Sequence, residues 1–431
     1  MFGDDSFIGR LLGRMPILVP VVAGIVFLAL LTREVRRDMI EVTPISVPAR
    51  LVEAGLTPEV VAQRLLDGIQ RVEDQVRGEP MSRTSIEIAG ASPDFTVPIA
   101  GVSLRSVASV VRDMLGLRDT RVTGEMTMDG EQLRIRLRLT GHGIITDERH
   151  EDVYHLIDRA APSILRATQP VLYAWWVAES AGNQTQLQGT LNGMLDEPSS
   201  PEEARTLRLL LSRSMARVGR FEEALAIADG LLAENPDYAV ALYGRGRALR
   251  ELGRLDEAWA SMESAQRLLP EAPFVHVGMS QIMRDRGDAA GALAELAPSL
   301  LPGRTDSQAP TEAAMAQVAL HRNGEALAMA RRAVAQDARN PSAQTAFGLA
   351  LTRAGRPAEA LPHFDRALAE APMWQEARLG RIEALLALHQ PEVARREWQE
   401  HEAAIRAVPR LRGQADALAP QLSPPGAAAP R

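Results

Sequence analysis

A chain of 431 residues is long enough for two or three domains, and with 46% hydrophobic and 24% charged residues most of it can bury a core. A net charge of −7 argues against nucleic-acid binding, whose affinity comes mainly from basic side chains on phosphates, and the absence of Cys excludes disulfides, thiolate catalysis and Cys-ligated metals. Aromatics are only 4%, which together with abundant Ala and Leu favours helix. All 48 basic residues are Arg, the signature of a GC-rich bacterial coding sequence.

After a tail over residues 1–14, Met15–Leu31 reads MPILVPVVAGIVFLALL without a charge. At about 1.5 Å per residue a helix there spans roughly 26 Å, close to the ~30 Å hydrocarbon core of a bilayer. Arg14 and Arg33 bracket it, and Pro16 and Pro20 fall in its first turns, where missing amides matter least. LLTREVRRD follows with no small-x-small cleavage site, so residues 15–32 are expected to be an uncleaved, single-pass anchor in a bacterial inner membrane. Arginines stand on both sides of the span, which leaves the positive-inside rule nearly silent; the short leading tail favours a periplasmic bulk.

Residues 44–168 read as a small α/β domain of order β-α-β-α-β-β-α. Ile40–Pro48 alternates weakly, a linker running into a short strand. Thr57-Pro58-Glu59 starts a helix with an N-cap hydroxyl and Pro at N1, and Val61, Leu65, Ile69, Val72 and Val76 form its apolar face. Ile86 and Ile88 suggest a strand, and Ser103 caps a helix faced by Leu104, Val107, Val111 and Leu115. Val122–Met128 and Leu133–Leu139 flank Asp129-Gly130 as a hairpin, and Val153, Leu156, Ile157, Ala160 and Ile164 line a third helix. Arg134, Arg136 and Arg138 alternate with the apolar residues of the second hairpin strand. Such a row reads as a solvated face paired in part with Glu125, in preference to an anion site. His150, Glu151 and His155 approach H-E-x-x-H, but the second His falls at i+5, so on a helix the imidazoles diverge and no metal is expected. The stretch TRVTGEMTMDGEQLRIRLRLTG with VYHLIDRAAPSIL resembles the N-terminal domain of TolB-type proteins, which bears on fold alone.

Residues 170–204 read as a helical lead-in whose Trp175, Trp176 and Tyr173 belong to a core. Beyond them, Gly219, Gly253, Gly287 and Gly355 keep a 34-residue register, with His321 and His389 at the same column. Five residues after each stands an alanine: Ala224, Ala258, Ala292, Ala326, Ala360 and Ala394. The period and pattern, clearest in ALYGRGRALRELGRLDEAWASMESAQRLLP, resemble the tetratricopeptide family over residues 205–406, about six units. Small residues let paired helices approach, Gly ends the first helix and Pro stops the second. Gly244-x-Gly246 falls inside a first helix and carries no nucleotide site. Residues 410–431, ending SPPGAAAPR, are expected to be disordered.

The whole is therefore expected to be mostly α: an anchor, an α/β domain and an α-α superhelix. In the family, the inner groove is lined by set positions of each first helix. Carried onto this chain, those positions give Arg213, Arg217, Tyr243, Arg247, Arg250, Arg284 and Arg353, with Leu209, Val277, Gln281 and Leu349 between them. The resemblance implies a protein-binding scaffold without cofactor or catalysis. A column of guanidiniums suits an acidic peptide or chain terminus. A solubilising role for the same arginines is the alternative. A small-ligand sensor or enzyme sited in residues 44–168 is the rival function, which a pocket of converging polar side chains there would favour.

Overall fold

The computed structural model describes residues 39–77, 94–96, 120–181, 183–198, 200–301 and 307–422, with the single positions Met81, Thr84, Val111 and Met114. The anchor expected at 15–32, the strand at Ile86–Ile88 and the Ser103 cap lie outside the described residues. The described residues fall into two compact units, divided near Gln75 and Tyr173. Among them, no helix is long and apolar enough to cross a membrane.

The first unit holds a five-stranded sheet of order β2-β1-β3-β4-β5, with β1 Met39–Val42, β2 Asp94–Thr96, β3 Thr120–Asp129, β4 Gln132–Leu139 and β5 Gly143–His150. Strand β1 lies between β2 and β3 and pairs in parallel with both. The segment expected as a linker running into a short strand is thus partly an interior strand of the sheet, and Ile40, Val42 and Ile45 are all buried. Helix α1 (Ala49–Glu53) is short. Helix α2 (Pro58–Arg77) begins where Thr57 Oγ1 accepts from the Val60 amide at 3.4 Å, and its five-residue apolar face is buried throughout.

The hairpin pairs Val122 with Leu139 and Asp129 with Gln132, so its loop is Gly130-Glu131, one residue later than expected. Gly130 has φ +65°, suited to the first position of a two-residue hairpin loop. Strand β5 has no counterpart in the sequence reading. It is an edge strand with Ile144 exposed and Thr146 buried, so apolar alternation never marks it. It supplies Asp147, which accepts from Arg134 at 2.5 and 2.6 Å and from Arg136 at 3.1 Å, while Arg138 donates to Glu125 at 3.1 Å. The arginine row is therefore spent on its own sheet. The bond from Arg134 above all holds the Asp147 carboxyl well below the usual range.

Helix α3 (Val153–Thr168) starts at Asp152, whose carboxylate accepts from the Tyr154 and His155 amides at 2.7 and 3.0 Å. His150 ends β5 and His155 begins α3, so their rings do not diverge along one helix; the centroids are 4.3 Å apart. His150 Nδ1 accepts from the Asp152 amide at 2.9 Å, and among the described residues no cluster of His, Asp and Glu could hold a metal.

Helix α4 (Pro170–Ser180) leads into the second unit, followed by α5 (Gln184–Leu195). Six antiparallel pairs come next: α6 Pro201–Arg217 with α7 Phe221–Glu234, α8 Ala239–Glu251 with α9 Leu255–Leu268, and α10 Pro273–Asp285 with α11 Ala289–Leu296. The later three are α12 Gln308–Ala319 with α13 Asn323–Gln336, α14 Pro341–Arg353 with α15 Pro357–Glu370, and α16 Gln375–Ala387 with α17 Pro391–Arg406. All six column alanines are buried. Twelve residues before them stand Ser212, Gly246, Ser280, Ala314, Gly348 and Ile382, mostly small side chains that let the two helices close on each other. A Cβ on Gly348 would lie 2.7 Å from the Phe364 ring.

Every first helix ends on a left-handed residue: Gly219 (φ +82°), Gly253 (+76°), Gly287 (+88°), His321 (+58°), Gly355 (+74°) and His389 (+58°). The amide after each reaches back to the helix, as from Arg254 to the Leu249 carbonyl and from Arg322 to that of Gln317, both 2.9 Å. That is the Schellman closure, so the two histidines hold a glycine conformation at a steric cost.

The C-terminal expectation needs correcting. Residues Pro409–Leu411 form a 3-10 turn and Arg412–Leu422 form helix α18, where disorder was expected, and residues 423–431 of the expected tail lie outside the described residues. Leu411, Ala415, Leu418 and Leu422 recur at helical spacing and bury against Leu379, Ile382, Leu385 and Trp398, closing the exposed end of the stack.

Candidate protein-binding groove

First helices pack on the first helices of neighbouring repeats, α8 on α6 and α10, α12 on α10 and α14, α14 on α16, so α6 to α16 form one inner layer. The expected site residues all belong to this layer, but their surroundings differ sharply.

Arg250 and Arg284 are not free. Arg250 Nε donates to Asp285 at 2.6 Å and its Nη1 to Glu251 at 3.0 Å, with the side chain 7% exposed. Arg284 Nε donates to Glu312 at 2.5 Å, and the Glu312 side chain is 4% exposed. Burial pushes the Glu312 carboxyl up from its ordinary range, and Arg284 only partly offsets it. For Asp285, burial is outweighed by Arg250, then Arg284 and Arg410, and the carboxyl stays below its ordinary value. These arginines sit where the groove positions place them, yet a buried guanidinium bound to carboxylates serves the helix stack and not a partner. Arg353 is also paired, to Glu383 at 2.8 Å across α14 and α16.

Tyr243 is buried, edge-on to Phe274 with centroids 4.9 Å apart; it is part of the core and offers no contact surface. Its ring lies 5.8 Å beneath the Arg247 guanidinium. Arg213 donates to Glu179 of α4 at 2.8 Å and stands 5.5 Å over the buried Trp175 ring. Beside it Ala178, Gln184, Leu187 and Leu210 line a cavity of about 10 Å³, room for little more than a water.

Arg217 and Arg247 differ from the rest. Neither has a carboxylate partner among the described residues. Arg217 is open to solvent but set in a wall dense with protein atoms. That desolvation first, then the charges of Arg213 and Arg247, hold its pKa below the usual guanidinium value, with Glu179 in opposition. Glu179 is thus bonded to Arg213 and near Arg217, while the charge of Arg247 adds to the repulsion on Arg217.

A further set of residues on this face was not read from the sequence. Arg410 of the C-terminal turn donates from Nε to Glu251 of α8 at 2.6 Å, and from Nη1 and Nη2 to Glu376 of α16 at 3.2 and 3.3 Å. One side chain reaches both α8 and α16 only if the inner layer curves round to face itself, so this layer is concave. The dipeptides Arg250-Glu251 and Arg284-Asp285, 34 residues apart, were a signal that the arginines carry their own counter-ions. For Arg410, a partner 159 positions distant left no local mark.

Three segments, residues 209–273, 311–373 and 345–411, match the family model described as tetratricopeptide repeat. The chain carries tetratricopeptide repeats. Among solved structures, a tetratricopeptide repeat protein of Thermus thermophilus is 23% identical, the match covering 42% of this chain and 100% of that one at a TM-score of 0.38. A tetratricopeptide repeat protein of Parabacteroides merdae is 16% identical over 55% of this chain and 93% of that one, at 0.39. YrrB, described as a tetratricopeptide repeat protein with an unusual peptide-binding site, is 20% identical over 46% and 97%, at 0.28. No curated protein matches.

Proposed function

We propose that this protein is a membrane-tethered scaffold that binds an acidic segment of a partner protein at the α6–α8 end of its tetratricopeptide groove. The observation that carries the reading is the pair Arg217 and Arg247. They are guanidiniums on a concave face with no carboxylate in hydrogen-bond or ion-pair contact among the described residues, beside an Arg213 that has one. Neighbouring like charges raise the energy of the empty site, and an incoming carboxylate relieves that repulsion while accepting bidentate bonds. Binding, not catalysis, is the role, and no cofactor enters it. Residues 15–32 tether the chain to a bacterial inner membrane, with the bulk on the periplasmic side, on the strength of the uncharged Met15–Leu31 run.

The test uses the full chain and a fluorescent Glu-rich peptide, with a Gln-for-Glu peptide as reference. Anisotropy should report binding of the first alone, weakening as the Debye length shortens from about 10 Å at 0.1 M salt to about 3 Å at 1 M. The Arg217→Glu/Arg247→Glu double variant should lose it. Equal affinity of parent and double variant would place acidic recognition elsewhere.

A further inference from the structure

We propose that the C-terminal turn is an intramolecular latch, in which Arg410 joins the second repeat to the sixth and holds the superhelix closed on its own groove. These contacts lie within the chain and need no partner.

The geometry is that of a ligand in a site. Arg410 offers all three of its guanidinium nitrogens, one to Glu251 and two to Glu376, and the three side chains are 10%, 18% and 12% exposed. Glu251 also accepts from Arg250, which is bound to Asp285, and Asp285 lies 3.4 Å from Arg284, which holds Glu312. The four carboxyls of Glu251, Asp285, Glu312 and Glu376 thus face the three guanidiniums of Arg250, Arg284 and Arg410. Withdrawing Arg410 changes an excess of one negative charge into an excess of two, in a place largely shut off from water. The carboxylates then repel one another, and the helices bearing them can separate, since α8 and α16 belong to repeats far apart in the stack.

The insertion is also well braced. Pro409 opens the turn, where its fixed φ suits the first position, and Leu411, next to Arg410, is buried in the terminal core with α16 and α17. The turn before helix α18 thus presents Arg410 from the outer end of the stack toward a repeat near its beginning. Anything that pulls on α18 acts on the width of the groove, while Arg217 and Arg247 stay outside the ion-pair set. The latch leaves the α6–α8 end open and occupies the α8–α16 side.

The chain has no cysteine, so two can be introduced for spin labels without background. Glu263→Cys on α9 and Gln414→Cys on α18 are exposed positions on either side of the latch. Pulsed electron resonance on the full chain should give a narrow distance distribution for the parent. With Arg410→Ala it should move to longer separations and broaden, and amide exchange at the end of α8 and the start of α16 should rise by about tenfold or more. Glu251→Gln removes one arm of the latch and should give an intermediate distribution, which keeps the test decisive if Arg410→Ala folds poorly. Arg339→Ala, which deletes the exposed pair with Glu370, should change neither readout. Parent-like distances in both latch variants would overturn the proposal and leave the curvature to the repeats alone.

Discussion

Arg284 and Arg217 both occupy groove positions of their helices, yet their removal should have opposite consequences. Arg284→Ala strands Glu312, whose side chain is 4% exposed, and takes a counter-charge from Asp285 at 3.4 Å. Breaking a buried pair by deleting one partner costs about 3–5 kcal/mol. Arg217→Ala removes an exposed charge repelled by Arg213 and Arg247, and should change stability by no more than about 0.5 kcal/mol. The loss in Arg284→Ala should also depend on pH. Burial already raises the Glu312 pKa, and without Arg284 only the charge of Arg250 on α8 still opposes it, while Asp285 adds to the rise. A carboxyl whose folded pKa is raised is tolerated while protonated and becomes a burden as pH rises through that value. The deficit should therefore be smaller at pH 4.5 than at pH 8. Urea denaturation followed by circular dichroism at the two pH values measures it, with hydrogen exchange in α10 and α12 as the local readout, because repeat arrays need not unfold as one unit. Equal stability of the two variants, or a deficit that shrinks as pH rises, would refute the assignment of Arg284 to the buried network.

Ala258→Leu forces a branched side chain into the buried contact of α8 with α9 and should cost about 1–3 kcal/mol, whereas the same change at exposed Ala260 should be nearly neutral in a urea melt. His321→Gly and His389→Gly release left-handed residues from their steric penalty and should each raise stability by about 1 kcal/mol in the same assay. Asp285 and Glu376 titrate below the ordinary carboxylate range because of the arginines around them, which outweigh their burial. A depressed folded pKa adds stability above the unfolded values of about 3.9 and 4.3, and that stability is lost as pH falls through the lower folded ones. The latch distances should hold at pH 5 to 8 and lengthen on acidification below about pH 4. The full chain should stay with membranes through a carbonate wash, and recovery of intact chain in the soluble fraction would remove the anchor.

The repeats were legible because their physics is local and periodic. A buried alanine where helices touch and a left-handed residue where the first helix ends must recur every 34 residues, whatever the partner, and both columns stand out in the sequence. His321 and His389 occupy the glycine column without glycine's freedom, so the turn persists there although its usual residue is absent. Strand β5 was not legible, since an edge strand with a single buried side chain, Thr146, needs no apolar alternation. The groove arginines could be placed by register, but register does not say whether a side chain is occupied. Arg250 and Arg284 are held by carboxylates on the next helix, and Arg410 meets Glu251 only because the layer curves through several repeats. Such pairings depend on tertiary distance, which periodicity does not encode.

The most direct test of groove binding at Arg217 and Arg247 is site-specific photocrosslinking of the full chain in its native cells. A photoreactive residue replaces Arg247 on the inner layer in one variant, and the exposed Arg331 on α13 of the outer layer in another. A discrete partner adduct from position 247, abolished by Arg217→Glu in the same chain and absent from position 331, is the predicted result. The same adduct from position 331 alone, or from position 247 undiminished by Arg217→Glu, would contradict binding through this end of the groove.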